Sequence, residues 1–339
     1  MPFSVAVEKR NAESARKHLL AQHALDFTRT PARDEKCVYF PVTRRIPNFR
    51  LSNKKLKPKA AKPASLEEAL RHKLPAKLSP LVPRAFDIIG DIAIIEIPGA
   101  LKAKSTLIGR SLMLAHPHVK AAYAKAGKRK GAYRTRALKH IGGAKRTTTM
   151  HRESGCEFAL DISKAYFSPR LVHEREIMSK LAKPDEKILV FFAGVGPFPV
   201  ILAKKQPSCK IKAIELNPAA AKYLKQNIAR NGVGVQVEAI EGDVRKLAAK
   251  YRKWADRILM PYPDKAADFL PAAFTAAKHG CTIHFYCFAP EASAFADAEK
   301  IVKAAAKKAK RRVRIVAHRI VLPYAPRVVQ VALDFKLLN

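Results

Sequence analysis

Ile188-Leu-Val-Phe-Phe-Ala-Gly-Val-Gly-Pro-Phe198 opens as an apolar run of strand length and breaks on two glycines one residue apart. Gly194 and Gly196, directly after a strand and before a helical pattern, let backbone N–H groups come close to a ligand. A dinucleotide fingerprint needs a third glycine three residues further on, where Phe198-Pro199 crowd the position. A pyrophosphate-bearing dinucleotide is therefore disfavoured. A cofactor without phosphates fits better, and S-adenosyl-L-methionine is the obvious one.

Around that stretch the chain alternates. Short apolar runs at 188–192, 210–215, 236–240, 256–260 and 282–288 are separated by helical patterns such as 217–230 and 264–278. This grammar specifies a parallel sheet covered on both faces. A late helix at 291–310 precedes 313–317 and 328–335, which can close the sheet as an antiparallel pair. The expected class is α/β, with a Rossmann-like domain over 161–339. Glu215 ends the second strand 21 residues after Gly194, the spacing at which an acid accepts ribose hydroxyls. Asn217-Pro218 then offers a cap and an N1 proline to the next helix, and Glu215 could serve only that helix. Asp243, at the end of the third strand, suits the adenine amino group, or is an ordinary turn residue. After the fourth strand comes Pro261-Tyr-Pro. Pro261 is expected to border the cofactor. Tyr262 can stack on an unpaired base, or the prolines only shape the loop.

Working back towards the start, residues 65–160 read as a small α+β module. Ser65 and Glu68 form a capping box opening a helix to about residue 72. Residues 86–98 read as strand, turn and strand about Gly90-Asp91, 101–126 as helix, Gly127 to Lys130 as a basic turn, and 142–149 with 157–161 as strand. Before it, 53–64 is a Pro/Lys/Ala linker. Residues 1–52 form an N-terminal domain with a helical stretch at 13–25 and a strand at 37–42.

Charge names the partner. Sixty-five Lys and Arg against 28 Asp and Glu give a net +37. Residues 97–152 hold 14 bases and no acid, and 36–66 hold nine bases and no acid. Such stretches suit a surface that tracks phosphates, so RNA is the expected partner. The five cysteines form no CxxC pair and imply neither disulfides nor a metal site. Neither a signal peptide nor a membrane span is expected from the sequence, and a cytoplasmic monomer is expected.

Asp161-Ile-Ser-Lys-Ala-Tyr-Phe-Ser-Pro-Arg-Leu-Val-His-Glu-Arg175, then Phe192-Ala-Gly-Val-Gly-Pro-Phe198, then Glu215-Leu-Asn-Pro218, resembles the archaeal and eukaryotic tRNA (guanine-37-N1)-methyltransferases. The resemblance runs over at least 84–335 by motif order, and more loosely over the first 50 residues. It implies tRNA as substrate, and a 1–52 domain that recognises tRNA shape. Methylating N1 of guanine removes its proton while negative charge grows on O6, so a carboxylate and a cation are the expected tools. The resemblance gives these tasks to Glu174 and Arg152. It places Tyr166, Arg170 and Arg175 beside the cofactor or the flipped base, and gives the cofactor the loop Phe192, Ala193, Gly194, Val195, Gly196 and Pro197. Simpler roles compete: Glu174 lies four residues from Arg170 and could form only a helical ion pair, and Arg152 could be a phosphate contact. Two positions depart from the family. Val190 stands where an Asp is usual, and Pro261 where an Asn often lies near the guanine. Two other functions fit parts of the pattern: the related aminocarboxypropyl transfer of wyosine synthesis, and RNA binding without catalysis.

Overall fold

The apolar run after Lys187 becomes a central strand with no exposed face. In the computed structural model, which describes residues 3–58, 63–127, 131 and 133–338, Ile188, Leu189, Val190 and Phe191 are all fully buried. A strand apolar on both sides needs helices above and below it. The chain supplies them, and it divides into two compact units, Met1–Pro63 and Ala64–Asn339.

The first unit has β1 (Phe3–Glu8), α1 (Ala12–Ala21), β2 (Ala32–Arg33), β3 (Cys37–Val42) and β4 (Arg50–Ser52). Its antiparallel sheet runs in the order β2-β3-β1-β4 over a small core that includes Val5, Leu19, Val38 and Phe40. The helix expected over 13–25 stops at Ala21, and His23 turns left-handed at φ 49°. The expected linker begins later than its composition suggests. Leu56 is buried, its carbonyl accepts from Arg29 Nη1 (2.9 Å), and Thr30 N–H donates to the Lys57 carbonyl (3.0 Å). Residues 59–62 lie outside the described residues.

The second unit begins with α2 (Leu66–Leu70), β5 (Phe86–Ile89), β6 (Ile92–Ile95), α3 (Ser105–Ala115), β7 (Ala121–Lys125) and β8 (Leu138–Gly143), then a separate hairpin of β9 (Thr148–Glu153) and β10 (Cys156–Asp161). The Ser65 half of the capping box forms, with Ser65 Oγ accepting the Glu68 N–H (3.1 Å), while the Glu68 carboxylate reaches one residue further back, to the Ala64 N–H (2.6 Å). The single helix expected over 101–126 is instead a 3-10 turn, α3 and a strand. His116-Pro117 ends the helix, because the residue before a proline is pushed out of helical geometry. The freed Ala121–Lys125 pairs in parallel with β6. Of the expected basic turn, residues 128–130 lie outside the described residues.

There follow α4 (Val172–Leu181), β11 (Lys187–Phe191), α5 (Pro197–Lys205), β12 (Lys210–Glu215), α6 (Pro218–Arg230), β13 (Val237–Glu241), α7 (Val244–Leu247), β14 (Ala255–Met260), α8 (Leu270–Ala276), β15 (Ala277–Pro290), α9 (Ala294–Lys308), β16 (Val313–Ala325) and β17 (Val328–Leu337). The seven-stranded sheet runs β13-β12-β11-β14-β15-β17-β16, with β17 antiparallel between β15 and β16. The helix expected over 264–278 is cut short, since Ala277 already begins β15. Connections from β11 leave towards β12 on one side, and the chain returns to β14 on the other. A crevice therefore opens at the carboxyl ends of these strands.

Candidate active site

That crevice is a cleft of about 670 Å³. Its floor is the loop after β11. Phe192 sits at φ 55°, Gly194 at φ 58° and Gly196 at φ 97°, left-handed backbone that favours glycine at two of the three positions. A methyl group placed on Gly194 would meet only the Tyr166 carbonyl, at 3.7 Å, so the loop is open on the cleft side. Glu215 Oε2 accepts the Gly194 N–H (2.7 Å) and Oε1 the Asn217 N–H (2.8 Å). Burial pushes its carboxyl pKa up, against the pull of these backbone donors. Asp243 caps α7 through the Arg245 N–H (2.9 Å), and hydrogen bonds from Arg245 hold its carboxyl below the usual range. One wall is aromatic, with Phe192 4.9 Å from Tyr262 and 4.7 Å from Phe269 between ring centroids. The α5 N-terminus, with Pro197 and Pro199 in its first turn, lacks two of the N–H donors that a phosphate would use.

The cleft holds the expected Tyr166, Phe192, Gly194, Glu215, Asp243, Pro261 and Tyr262. Ala193, Val195, Gly196 and Pro197 shape the loop from within. The Ala193 N–H donates to Ile214 (3.0 Å), Val195 is fully buried, and its carbonyl accepts from Asn227 Nδ2 (2.8 Å). Val190 packs in the core beneath, away from the cleft.

Four expected positions are not brought there. Glu174 is buried, and its carboxylate accepts from Tyr286 and from Arg319 Nε (3.0 Å) and Nη2. From there a chain of polar groups continues through the buried Asp334, His284 and Arg257: Arg319 to Asp334 (2.8 Å), Asp334 to His284 Nδ1 (2.7 Å), His284 Nε2 to Arg257 (2.7 Å), and Arg257 to the half-buried Glu186 (2.6 Å). Arginine can only donate, so His284 accepts at Nε2 and donates from Nδ1. The i,i+4 pair with Arg170 does not form, because Arg170 donates to Asp87 on β5 (2.7 Å). Arg175 is 1% exposed and grips Glu153 with two 2.6 Å bonds, tying α4 to the hairpin, so no substrate can reach it. Arg152 is 81% exposed, paired with Glu157. It borders a separate groove with Asp91, Arg146 and His151.

What the cleft holds in their place is Arg134. This side chain is 9% exposed and pairs with Asp264 (3.0 Å). Its guanidinium lies 5.2 Å from the Tyr166 ring and 5.3 Å from the Tyr262 ring. Its only signal in sequence is membership of the acid-free stretch. Two asparagines, one in α6 and one capping its end, were equally silent. Asn227 bonds both backbone groups of Ala159 (2.8 and 3.0 Å) besides Val195, and Asn231 does the same for Glu157 (2.9 and 2.8 Å). Together they hold β10, and the Tyr166 segment after it, against the glycine loop. Among the described residues no group of side chains could hold a metal ion, and no helix is long and apolar enough to cross a membrane.

Comparison with known proteins agrees with this architecture. Residues 149–316 match the TRM5/TYW2 methyltransferase domain, 66–147 a TYW2 N-terminal domain and 4–50 a tRNA methyltransferase 5 N-terminal domain. The tRNA (guanine(37)-N(1))-methyltransferase Trm5b of Pyrococcus abyssi is 39% identical over 99% of both chains. Its crystal structure has a TM-score of 0.74 to this chain over the full length of both. The solved complex of aTrm5 with tRNALeu also has a TM-score of 0.74, at 30% identity and full coverage of both chains. A tRNA(Phe) (4-demethylwyosine(37)-C(7)) aminocarboxypropyltransferase of Pyrococcus horikoshii is 31% identical over 80% of this chain and 95% of its own. By its cleft, its strand order and its match from end to end, the chain belongs to the tRNA (guanine-37-N1)-methyltransferase family.

Proposed function

We propose that the chain transfers a methyl group from S-adenosyl-L-methionine to N1 of guanosine 37 in tRNA, beside the anticodon, acting as a cytoplasmic monomer. The observation that carries this reading is the cleft. A phosphate-free cofactor fits one end, and a buried guanidinium between two tyrosines waits at the other. When bound, the cofactor supplies an electrophilic methyl group on a sulfonium.

The chain's own residues do the rest. Glu215, held by the loop's N–H groups, accepts the ribose hydroxyls. Asp243 keeps acceptor capacity for the adenine amino group, and Phe192 gives the base an apolar wall. On the acceptor side a guanine turned out of its stack lies against Tyr262. Arg134, which the cleft holds where Arg152 was expected, faces O6 and stabilises the charge growing there. The proton on N1 needs a carboxylate, and the one beside Arg134 in this cleft is Asp264. Glu174, with both oxygens committed to Arg319 and Tyr286, positions α4 instead.

Aminocarboxypropyl transfer is the weaker reading, because the Pyrococcus abyssi methyltransferase matches 99% of this chain and that relative matches 80% of it. Incubations with S-adenosyl-L-methionine labelled in both its methyl and its aminocarboxypropyl carbons, one with tRNA bearing guanosine 37 and one with tRNA bearing 4-demethylwyosine 37, each followed by nucleoside analysis, separate them. N1-methylguanosine is expected. Label appearing only in an aminocarboxypropyl product, or no transfer, would reject the proposal.

A further inference from the structure

Beside the cleft, between β5, β6 and the Tyr166 segment, lies a second, smaller cavity of about 50 Å³, lined in part by Asp87, Lys125, Arg134, Arg136 and Tyr166. Three of its four charged side chains already have counter-charges. Asp87 holds Arg170 (2.7 Å), Lys125 holds Glu96 (3.2 Å) and Arg134 holds Asp264 (3.0 Å). Arg136 has none among the described residues, and its Nε is shut off from solvent with no acceptor. Arg134 Nε is orphaned in the same way. Buried donors without partners cost about 1–3 kcal/mol each, and both arginines line this cavity, so an acceptor seated there that draws the two guanidinium groups towards it would recover that cost.

We propose that this cavity binds one phosphodiester of the RNA, the one flanking the target guanosine, with Arg136 as its counter-charge and Arg134 as a second donor. The inference deepens the function above and rests on the substrate being RNA. Three properties select the ligand. The surplus is a single positive charge, and a phosphodiester is a monoanion. The space exceeds the roughly 10–15 Å³ that a water needs, yet is far too small for a base. Guanidinium forks match phosphate oxygens in geometry and charge. Tyr166 and Arg134 border both this cavity and the cleft, so a phosphate held here belongs next to a base held there. Binding it would also fix Arg134 from behind, making Arg136 a positioning residue for the acceptor end.

The test uses the full chain and tRNA whose 5′ or 3′ phosphate at the target guanosine is replaced by a neutral methylphosphonate. Arg136→Gln is expected to weaken tRNA binding about 10-fold, to lower the slope of log affinity against log salt by about 1, and to leave cofactor affinity unchanged. One of the two neutral tRNAs should lose the same factor with the native chain and lose nothing further with Arg136→Gln. Arg136→Lys should recover part of the affinity. A native chain indifferent to both neutral tRNAs overturns the proposal even if Arg136→Gln does not fold. So does a folded Arg136→Gln that binds unmodified tRNA as the native chain does, or that feels both methylphosphonates as strongly as the native chain. Methyl transfer is read in the same samples: its absence with the phosphate coupling intact rejects the activity and leaves this site standing.

Discussion

The two ends of the cleft are built differently. At the cofactor end the parts are a contiguous loop, 192–197, and one acid at the end of each of two neighbouring strands, Glu215 and Asp243. Sheet topology alone aligns them, because parallel strands end on one side. At the acceptor end Arg134, Tyr166, Tyr262 and Asp264 come from three segments far apart in sequence. They meet only because the β5–β8 module and its following hairpin are tied to α6 and the glycine loop. The first end depends on local backbone, the second on tertiary contacts. Substitutions should therefore separate into changes of affinity at one end, and changes of rate or stability at the other.

The largest effect is expected outside the cleft. Glu174→Gln leaves the half-buried Arg319 with Asp334 as its one carboxylate and puts an uncharged amide in the buried Glu174 position, and breaking a buried ion pair costs on the order of 3–5 kcal/mol. Thermal unfolding should show a fall of roughly 5–10 °C, with the rate per folded molecule little changed. A variant that melts like the native chain and loses methyl transfer 10²-fold or more would return the base to Glu174, as the resemblance implied. Next comes Arg134→Ala. Loss of a cation facing a developing oxyanion costs about 10²–10³ in rate. Single-turnover transfer should fall by that factor while cofactor affinity, measured by calorimetry, moves less than about 3-fold. A comparable fall in cofactor affinity would erase the distinction between the two ends.

The same distinction explains what the sequence could disclose. The strand–helix alternation, the glycine loop, the Asn217 cap and the acid 21 residues on are all local patterns, and each corresponds to an observed element or cleft residue. The segment around Tyr166 was readable as a motif, but its side chains were not placed by it. Arg175 and Arg170 face Glu153 and Asp87, partners in other elements that no spacing rule connects to them. Arg134 was one base among 14 in an acid-free run, indistinguishable from the rest until folding buried it against two tyrosines. The strand Ala121–Lys125 was hidden for a related reason. Its three alanines and one lysine read as helical by propensity, and only the parallel pairing with β6 makes them extended.

Glu215 tests the cofactor end by pH. Because burial raises its carboxyl pKa, it takes up a proton at a pH where an ordinary glutamate is still ionised. The carboxylate that accepts the hydroxyls is present above that pKa and is lost as pH falls through it. Cofactor affinity should therefore begin to drop at a pH above the ordinary 4.5. Glu215→Gln should weaken binding roughly 10- to 100-fold at neutral pH, the worth of hydrogen bonds to a charged group, and flatten that dependence. A native profile flat down to the ordinary glutamate range would show that Glu215 serves only its backbone donors.

The smallest effect is expected at Asp243, and it sharpens the comparison most finely. Its carboxylate already accepts from the Arg245 N–H and side chain, so the cofactor competes for what remains of its acceptor capacity. Asp243→Asn keeps the shape and an oxygen for the amino group, and changes the contact by about one ordinary hydrogen bond, ~1 kcal/mol. Cofactor affinity should weaken about 5-fold, with the saturated single-turnover rate unchanged. Arg245→Ala, which removes the side-chain donors and keeps the N–H, should move affinity the other way or not at all. If both substitutions weaken binding alike, the Asp243–Arg245 pair acts as a unit that shapes the α7 turn, and the adenine amino group is recognised elsewhere along the cleft.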